Sequence, residues 1–121
     1  MDDETLFMTM LFDFYGDLLT EKQREYFDLY HNEDLSLSEI AEKAGISRQG
    51  VYDTIARAGK ALEGIERKTG IVKKWLDTRS ELEAAEIMAR DILLALSEMG
   101  EPAGLARQLV LTLERIRSAE F

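Results

Sequence analysis

Apolar residues near the start of the chain recur at helical spacing. Leu6, Met10, Phe14 and Leu18 follow one another at i+4, with Phe7, Leu11 and Tyr15 beside them, which predicts a core helix of about three to four turns with one broad apolar face. Thr20 followed by Gln23 is a capping-box pattern, so a second helix is expected from there to about Tyr30, burying Tyr26, Phe27, Leu29 and Tyr30 to different degrees. His31-Asn32-Glu33-Asp34 reads as a polar connection. Ser36 or Ser38 is placed to cap a short third helix that carries Leu37, Ile40, Ala41 and Ala44 inward and ends at Gly45. Ser47 caps the next helix, whose pattern runs from Arg48 through Val51, Tyr52, Ile55, Leu62 and Ile65, with Gly59, Gly64 and Gly70 as points where it bends or stops.

Farther on, Leu82, Ala85, Ala89, Ile92, Leu96 and Met99 alternate spacings of three and four, the seam of a helix that packs lengthwise on another. Gly100 and Pro102 mark a stop and restart, and a last helix from about Ala103 carries Leu105, Leu109, Leu113 and Ile116. No strand alternation and no useful internal repeat is present. The expected fold is therefore all-α, with residues 1–70 forming a helix-turn-helix domain and residues 71–121 a C-terminal helical hairpin. Two consecutive amphipathic helices hold more apolar surface than one small trihelical core can cover, so the hairpin is expected to dimerise and the chain to be a homodimer.

Residues Leu37 to Ile55 carry the most specific pattern. Two short helices that cross steeply need a small residue where backbones approach, a turn residue tolerant of positive φ, and apolar residues at fixed offsets. Ala41, Gly45, and Leu37, Ile40, Ile46, Val51 and Ile55 meet those needs in turn. With Ile46, Val51 and Ile55 inward, Ser47, Arg48, Gln49, Tyr52, Asp53 and Ala56 turn outward, on the face that would enter a DNA major groove. Arginine can bond both acceptors of a guanine edge and glutamine can do the same for adenine, which nominates Arg48 and Gln49 as base readers. Ser47 sits at the helix N-terminus, where a phosphate is favoured, and Arg57 and Lys60 lie one to two turns on, better placed for phosphate than for bases. Tyr52 completes the candidate DNA-binding set, and Asp53 would oppose DNA unless paired, Arg57 at i+4 being the available partner.

Charge complicates this picture. The formal net charge is -9, yet residues 1–47 hold 3 basic and 12 acidic side chains, while residues 48–80 hold 8 and 4. Positive charge is confined to the middle third, and the flanks lack the basic footprint of most nucleic-acid binders. The acidic first third suits a basic partner instead. Trp75, next to Lys73 and Lys74 and near Arg67 and Lys68, reads either as a backbone-binding cluster or as a solvated helix face with a tucked indole.

Composition removes most other classes. There is no cysteine, so disulfide, zinc-thiolate and thiol chemistry are excluded. The single histidine, His31, reads as solvated in a polar turn rather than catalytic or metal-binding, and neither a metal nor a cofactor is expected. No phosphate-binding G-x-x-x-x-G-K-[ST] string occurs, and no carboxylate pair stands out. The aromatic residues of the first helices read as core. The chain is expected to be a non-enzyme, without membrane insertion, acting in the cytoplasm: its acidic start differs from a secretory signal, and no run approaches the roughly 20 apolar residues of a membrane span.

The strings Leu18-Leu19-Thr20-Glu21-Lys22-Gln23-Arg24, Asp34-Leu35-Ser36-Leu37-Ser38-Glu39-Ile40-Ala41 and Ile46-Ser47-Arg48-Gln49-Gly50-Val51-Tyr52-Asp53 resemble region four of bacterial sigma factors. Together with Leu11-Phe12-Asp13-Phe14-Tyr15, they more closely resemble the YlxM family of small bacterial proteins, across roughly Leu6 to Leu62. Membership would imply a sigma-like helix-turn-helix and a regulatory role in the signal recognition particle pathway, with that particle's components as partners. Two functions remain open: a regulatory DNA-binding protein, or an adaptor that binds a protein or RNA component of the particle without reading a DNA sequence.

Overall fold

The computed structural model describes residues 3–118, which contain six α-helices, one 3-10 turn and no strand. Met1 and Asp2, at the head of the acidic start, lie outside the described residues. The chain divides into two units, residues 1–72 and 73–121.

The first unit holds α1 (Asp3–Tyr15), a 3-10 turn (Gly16–Leu18), α2 (Glu21–His31), α3 (Leu37–Ala44) and α4 (Arg48–Thr69), and ends as α5 (Ile71–Glu98) begins. Its spine is α4, which buries Val51, Ile55, Ala58 and Leu62 on one stripe against which α1, α2 and α3 all pack. Leu11, Phe27, Ile40, Val51 and Leu62 are completely or almost completely buried. Each such side chain contributes about 1.5–3 kcal/mol of transfer free energy, so these few residues account for much of the unit's stability.

Local chemistry fixes the helix ends. Thr20 and Gln23 form the reciprocal capping box, each side chain bonding the other's backbone N–H at 3.1 and 3.2 Å. Of the two serines available for α3, Ser36 is the cap, in a second capping box with Glu39. Gly45 closes α3 in the left-handed region at φ 72°, where a side chain would be strained. The long helix α4 passes through Gly59 and Gly64 unbroken and stops only at Gly70, which takes φ 62°. A mid-helix glycine costs about 1 kcal/mol, less than the buried stripe on either side returns.

Three sequence expectations shift. The buried positions of α1 are Leu11 and Tyr15, whereas Leu6 is half exposed and Leu18, in the 3-10 turn, is 71% exposed. Ile46 was expected inward but is 42% exposed, leaning over Gly50. His31 is not a loop residue: it closes α2 and packs against Phe27 with ring centroids 4.2 Å apart and planes tilted by 31°, and burial pushes its imidazole below the ordinary histidine range.

The second unit is a helical hairpin of α5 and α6 (Gly104–Ser118). Contacts run antiparallel: Arg79 on α5 donates to the Arg117 carbonyl at 3.1 Å, Glu86 accepts from Arg117 Nε at 2.6 Å, and Arg90 pairs with Glu114. The sheltered positions of α5 step through Arg79, Leu82, Glu86, Ala89, Leu93 and Leu96, and those of the facing segment through Ala103, just before α6, and Ala106, Val110, Leu113 and Arg117 on it. This seam differs from the expected one. Leu82, Ala89, Leu96 and Leu113 face in, but Ile92, Met99, Leu105, Leu109 and Ile116 are 47–83% exposed, and charged side chains occupy three inward places.

Candidate nucleic-acid interface

The α3–α4 pair is built as a helix-turn-helix. Ile40 and Ala41 of α3 are buried against α4, and only Gly45, Ile46 and Ser47 lie between the two helices. Backbone N–H groups of Gly45 and Ile46 both return to the Ala41 carbonyl, at 2.9 and 3.1 Å. That pairing ties the turn to α3, so the entry direction of α4 is set by α3 and by Val51 beneath it.

Ser47 caps α4 by accepting the Gly50 N–H at 3.0 Å, a bond that does not use its hydroxyl proton as a donor. Arg48 and Gln49 follow in the first turn, both exposed, and Tyr52 is 55% exposed. These four, with Tyr30, Ser36, Leu37 and Ser38, line one open cleft of about 730 Å³. The N-termini of both α3 and α4 open onto it, each carrying unsatisfied backbone N–H groups and the positive end of a helix dipole. An anion is therefore favoured there even though the chain as a whole is acidic.

Arg57 and Lys60 do not line this cleft. At about 100° per residue, Arg57 emerges from the flank of α4 opposite Arg48, while Lys60 stands over Gln49 and Asp53 on the outward face. Asp53 is paired, but with Gln49 rather than Arg57: the Gln49 amide donates to Asp53 Oδ1 at 2.9 Å. That bond fixes the amide's direction, leaves its carbonyl oxygen and second N–H available to a base edge, and covers part of a carboxylate that would repel phosphate.

Tyr30, Ser36 and Ser38 were missing from the expected site. Ser36 and Ser38 read only as rival caps and Tyr30 as a core aromatic; with Ser36 taking the cap, Ser38 is left lining the cleft. Two serine-capped helix starts only eleven residues apart were the available signal. The Trp75 indole lies under the Arg79 guanidinium, 4.8 Å from ring centroid to charge, and Lys73 reaches Asp77 at 3.1 Å. These contacts give that cluster a structural use.

A second groove, of about 870 Å³, lies on the same unit between α1 and α2. Asp13, Asp17, Glu21, Glu25 and Asp28 line it around Phe12, and its one cation, Arg24, is held by Asp17 at 3.2 Å. Among the described residues no helix is long and apolar enough to cross a membrane.

Comparison with known proteins agrees with this geometry. Residues 2–99 match the family described as "Putative helix-turn-helix protein, YlxM / p13 like". A UPF0122 protein of Thermoanaerobacter sp. (strain X514) is 55% identical over 83 residues, 69% of this chain and 71% of the relative. Another, from Halalkalibacterium halodurans, is 42% identical over 120 residues, 99% of this chain and all of the relative. One from Listeria monocytogenes serotype 4b is 46% identical over 87 residues, 69% and 79% of the two chains. With its all-α fold, its α3–α4 unit and these matches, the chain belongs to the UPF0122 family of YlxM/p13-like helix-turn-helix proteins.

Proposed function

We propose that this protein is a non-enzymatic regulator that binds duplex DNA through the start of α4, and that it acts in the cytoplasm in the signal recognition particle pathway. The observation that carries the DNA reading is the cleft at the two helix starts, where Ser47, Arg48, Gln49 and Tyr52 stand together on an exposed helix end. Arg48 and Gln49 read base edges, Ser47 holds a phosphate, Tyr52 lies along the sugar-phosphate wall, and Lys60 reaches the backbone farther along α4. Arg57 meets phosphate from the other flank. The pathway assignment rests on the family resemblance.

The test is binding to a randomised duplex pool at two salt concentrations, followed by Arg48→Ala on the selected site. The expected result is one preferred, salt-sensitive sequence and a loss of about 1–3 kcal/mol in the variant. Equal, weak binding to all duplexes overturns it.

The acidic groove supports a second reading, an adaptor that grips a basic segment of a signal recognition particle component. Five carboxylates around Phe12 attract arginine or lysine side chains and repel phosphate. Capture of the particle by wild-type protein, and its loss on joint Asp17→Lys and Glu21→Lys substitution, is the expected outcome; capture of no such component refutes it.

A further inference from the structure

We propose that the open face of the C-terminal hairpin is the interface with a second copy of this chain, the two hairpins forming an antiparallel four-helix bundle in which α5 of each copy lies against α6 of the other. The two flanks of the hairpin differ. On one, Arg90 follows the inward Ala89 and Glu114 follows the inward Leu113, and these two charges pair across the helices. In an antiparallel pair, residues just after inward positions share that flank and residues just before them share the other. Ile92 precedes Leu93, Leu109 precedes Val110 and Ile116 precedes Arg117, while Met88 and Leu105 lie one turn before Ile92 and Leu109.

Met88 and Ile92 on α5, Met99 in the turn just after it, and Leu105, Leu109 and Ile116 on α6 therefore form a single stripe pair on the uncharged side, with the same four-then-seven spacing along each arm. All six are exposed, from 47% at Leu109 to 83% at Leu105. When two copies mate, these side chains of both protomers leave the water together, as the burial of about 1,200–2,000 Å² in a standard stable interface requires. A contiguous exposed apolar patch marks a protein–protein contact rather than ordinary monomer surface.

Only a partner with matching geometry covers both stripes, and this chain supplies one. Rotating a second hairpin about an axis parallel to the helices sets Met88 near the partner's Ile116 and Met99 near the partner's Leu105, and makes every neighbouring helix pair antiparallel. The rims also complement each other: Asp91 borders the stripe on α5 and Arg115 borders it on α6, and this rotation brings them together across the interface.

The test is the mass of the full chain in solution by light scattering with size-exclusion chromatography, from micromolar to hundreds of micromolar. The expected mass is twice 13.8 kDa. Joint Ile92→Glu and Leu109→Glu substitution is expected to give a monomer with at least a hundredfold weaker association, whereas Leu94→Glu, which changes an equally exposed residue off the stripe, stays dimeric. A monomeric wild type at all concentrations overturns the proposal, and so does a monomer produced by Leu94→Glu but not by the double variant. The wild-type mass decides even if the double variant fails to fold.

Discussion

The phenol of Tyr15, at the end of α1, donates a 2.7 Å hydrogen bond to Oε1 of Glu66 in the last turns of α4. The same carboxylate oxygen accepts the Val72 N–H at 3.1 Å, and Thr69 Oγ1 lies 2.6 Å from the phenol oxygen. Glu66 thus satisfies one of the orphan donors at the start of α5 while anchoring α1. Burial, together with the Glu66 carboxylate, holds the Tyr15 phenol above its ordinary range and so keeps it a donor.

Tyr15→Phe deletes that donor and keeps the ring. Glu66 retains Val72 as a partner, so the cost is a lost hydrogen bond to a charged group, about 1.5–3 kcal/mol, rather than an unsatisfied buried carboxylate. Urea denaturation followed by circular dichroism should show a lower midpoint at unchanged slope. An unchanged midpoint contradicts the role given to this bond.

Ser36 and Ser38 are both serines at the head of α3, but only Ser36 accepts the Glu39 N–H. Ser36→Ala is expected to lower stability by about 1 kcal/mol, whereas Ser38→Ala leaves it within a few tenths and weakens DNA binding instead. Thermal melts paired with fluorescence anisotropy separate the two effects.

Asp53 covers one donor of Gln49 and places a negative charge on the outward face of α4. Asp53→Ala removes that charge and frees the amide. Affinity for arbitrary duplex should rise several-fold at low salt, and discrimination at the base pair read by Gln49 should fall, because a wandering amide no longer enforces one edge. Competition assays with single-base variants of the selected site measure both, and sharper discrimination in the variant contradicts the assignment.

In the hairpin, Arg117 and then Arg90 hold the Glu86 carboxyl below its usual range, by hydrogen bonds that outweigh burial. Because the folded state binds that proton less readily than the unfolded chain, Glu86 adds stability at pH values above the ordinary carboxylate range. The contribution disappears as pH falls through its depressed folded value. Protection factors of α6 amides, corrected for the intrinsic pH dependence of exchange, should therefore fall at acid pH, and Glu86→Gln should flatten that dependence. A pH profile unchanged by the substitution would show that the ion pairs are idle.

The caps and the turn were legible in the sequence because each depends on residue types within one helical turn, and the inward stripe of α4 because Val51, Ile55 and Leu62 recur at helical spacing. The faces of α1 were not. Its apolar residues come in adjacent pairs, Leu6 with Phe7, Met10 with Leu11 and Phe14 with Tyr15, and they cover so much of the circumference that spacing alone leaves the core side open. The hairpin seam was misread for a different reason. Arg79, Glu86 and Arg117 fill inward positions because they satisfy one another, so a search for apolar periodicity passes over them and settles one position to the side. Gln49 was legible as an exposed residue of the helix start, but its bond to Asp53 depends on side-chain rotamers that spacing does not determine.

The 22 residues of α4 carry both the exposed residues at the cleft and the buried stripe that holds the first unit together. Inserting or deleting one residue between Asp53 and Leu62 would turn Arg48 and Gln49 by about 100° against the core and shift them by about 1.5 Å along the axis. The spacing from Arg48 to Leu62 is thus a fixed gear ratio: this protein can change the side chains its helix start presents by substitution, but not by altering length.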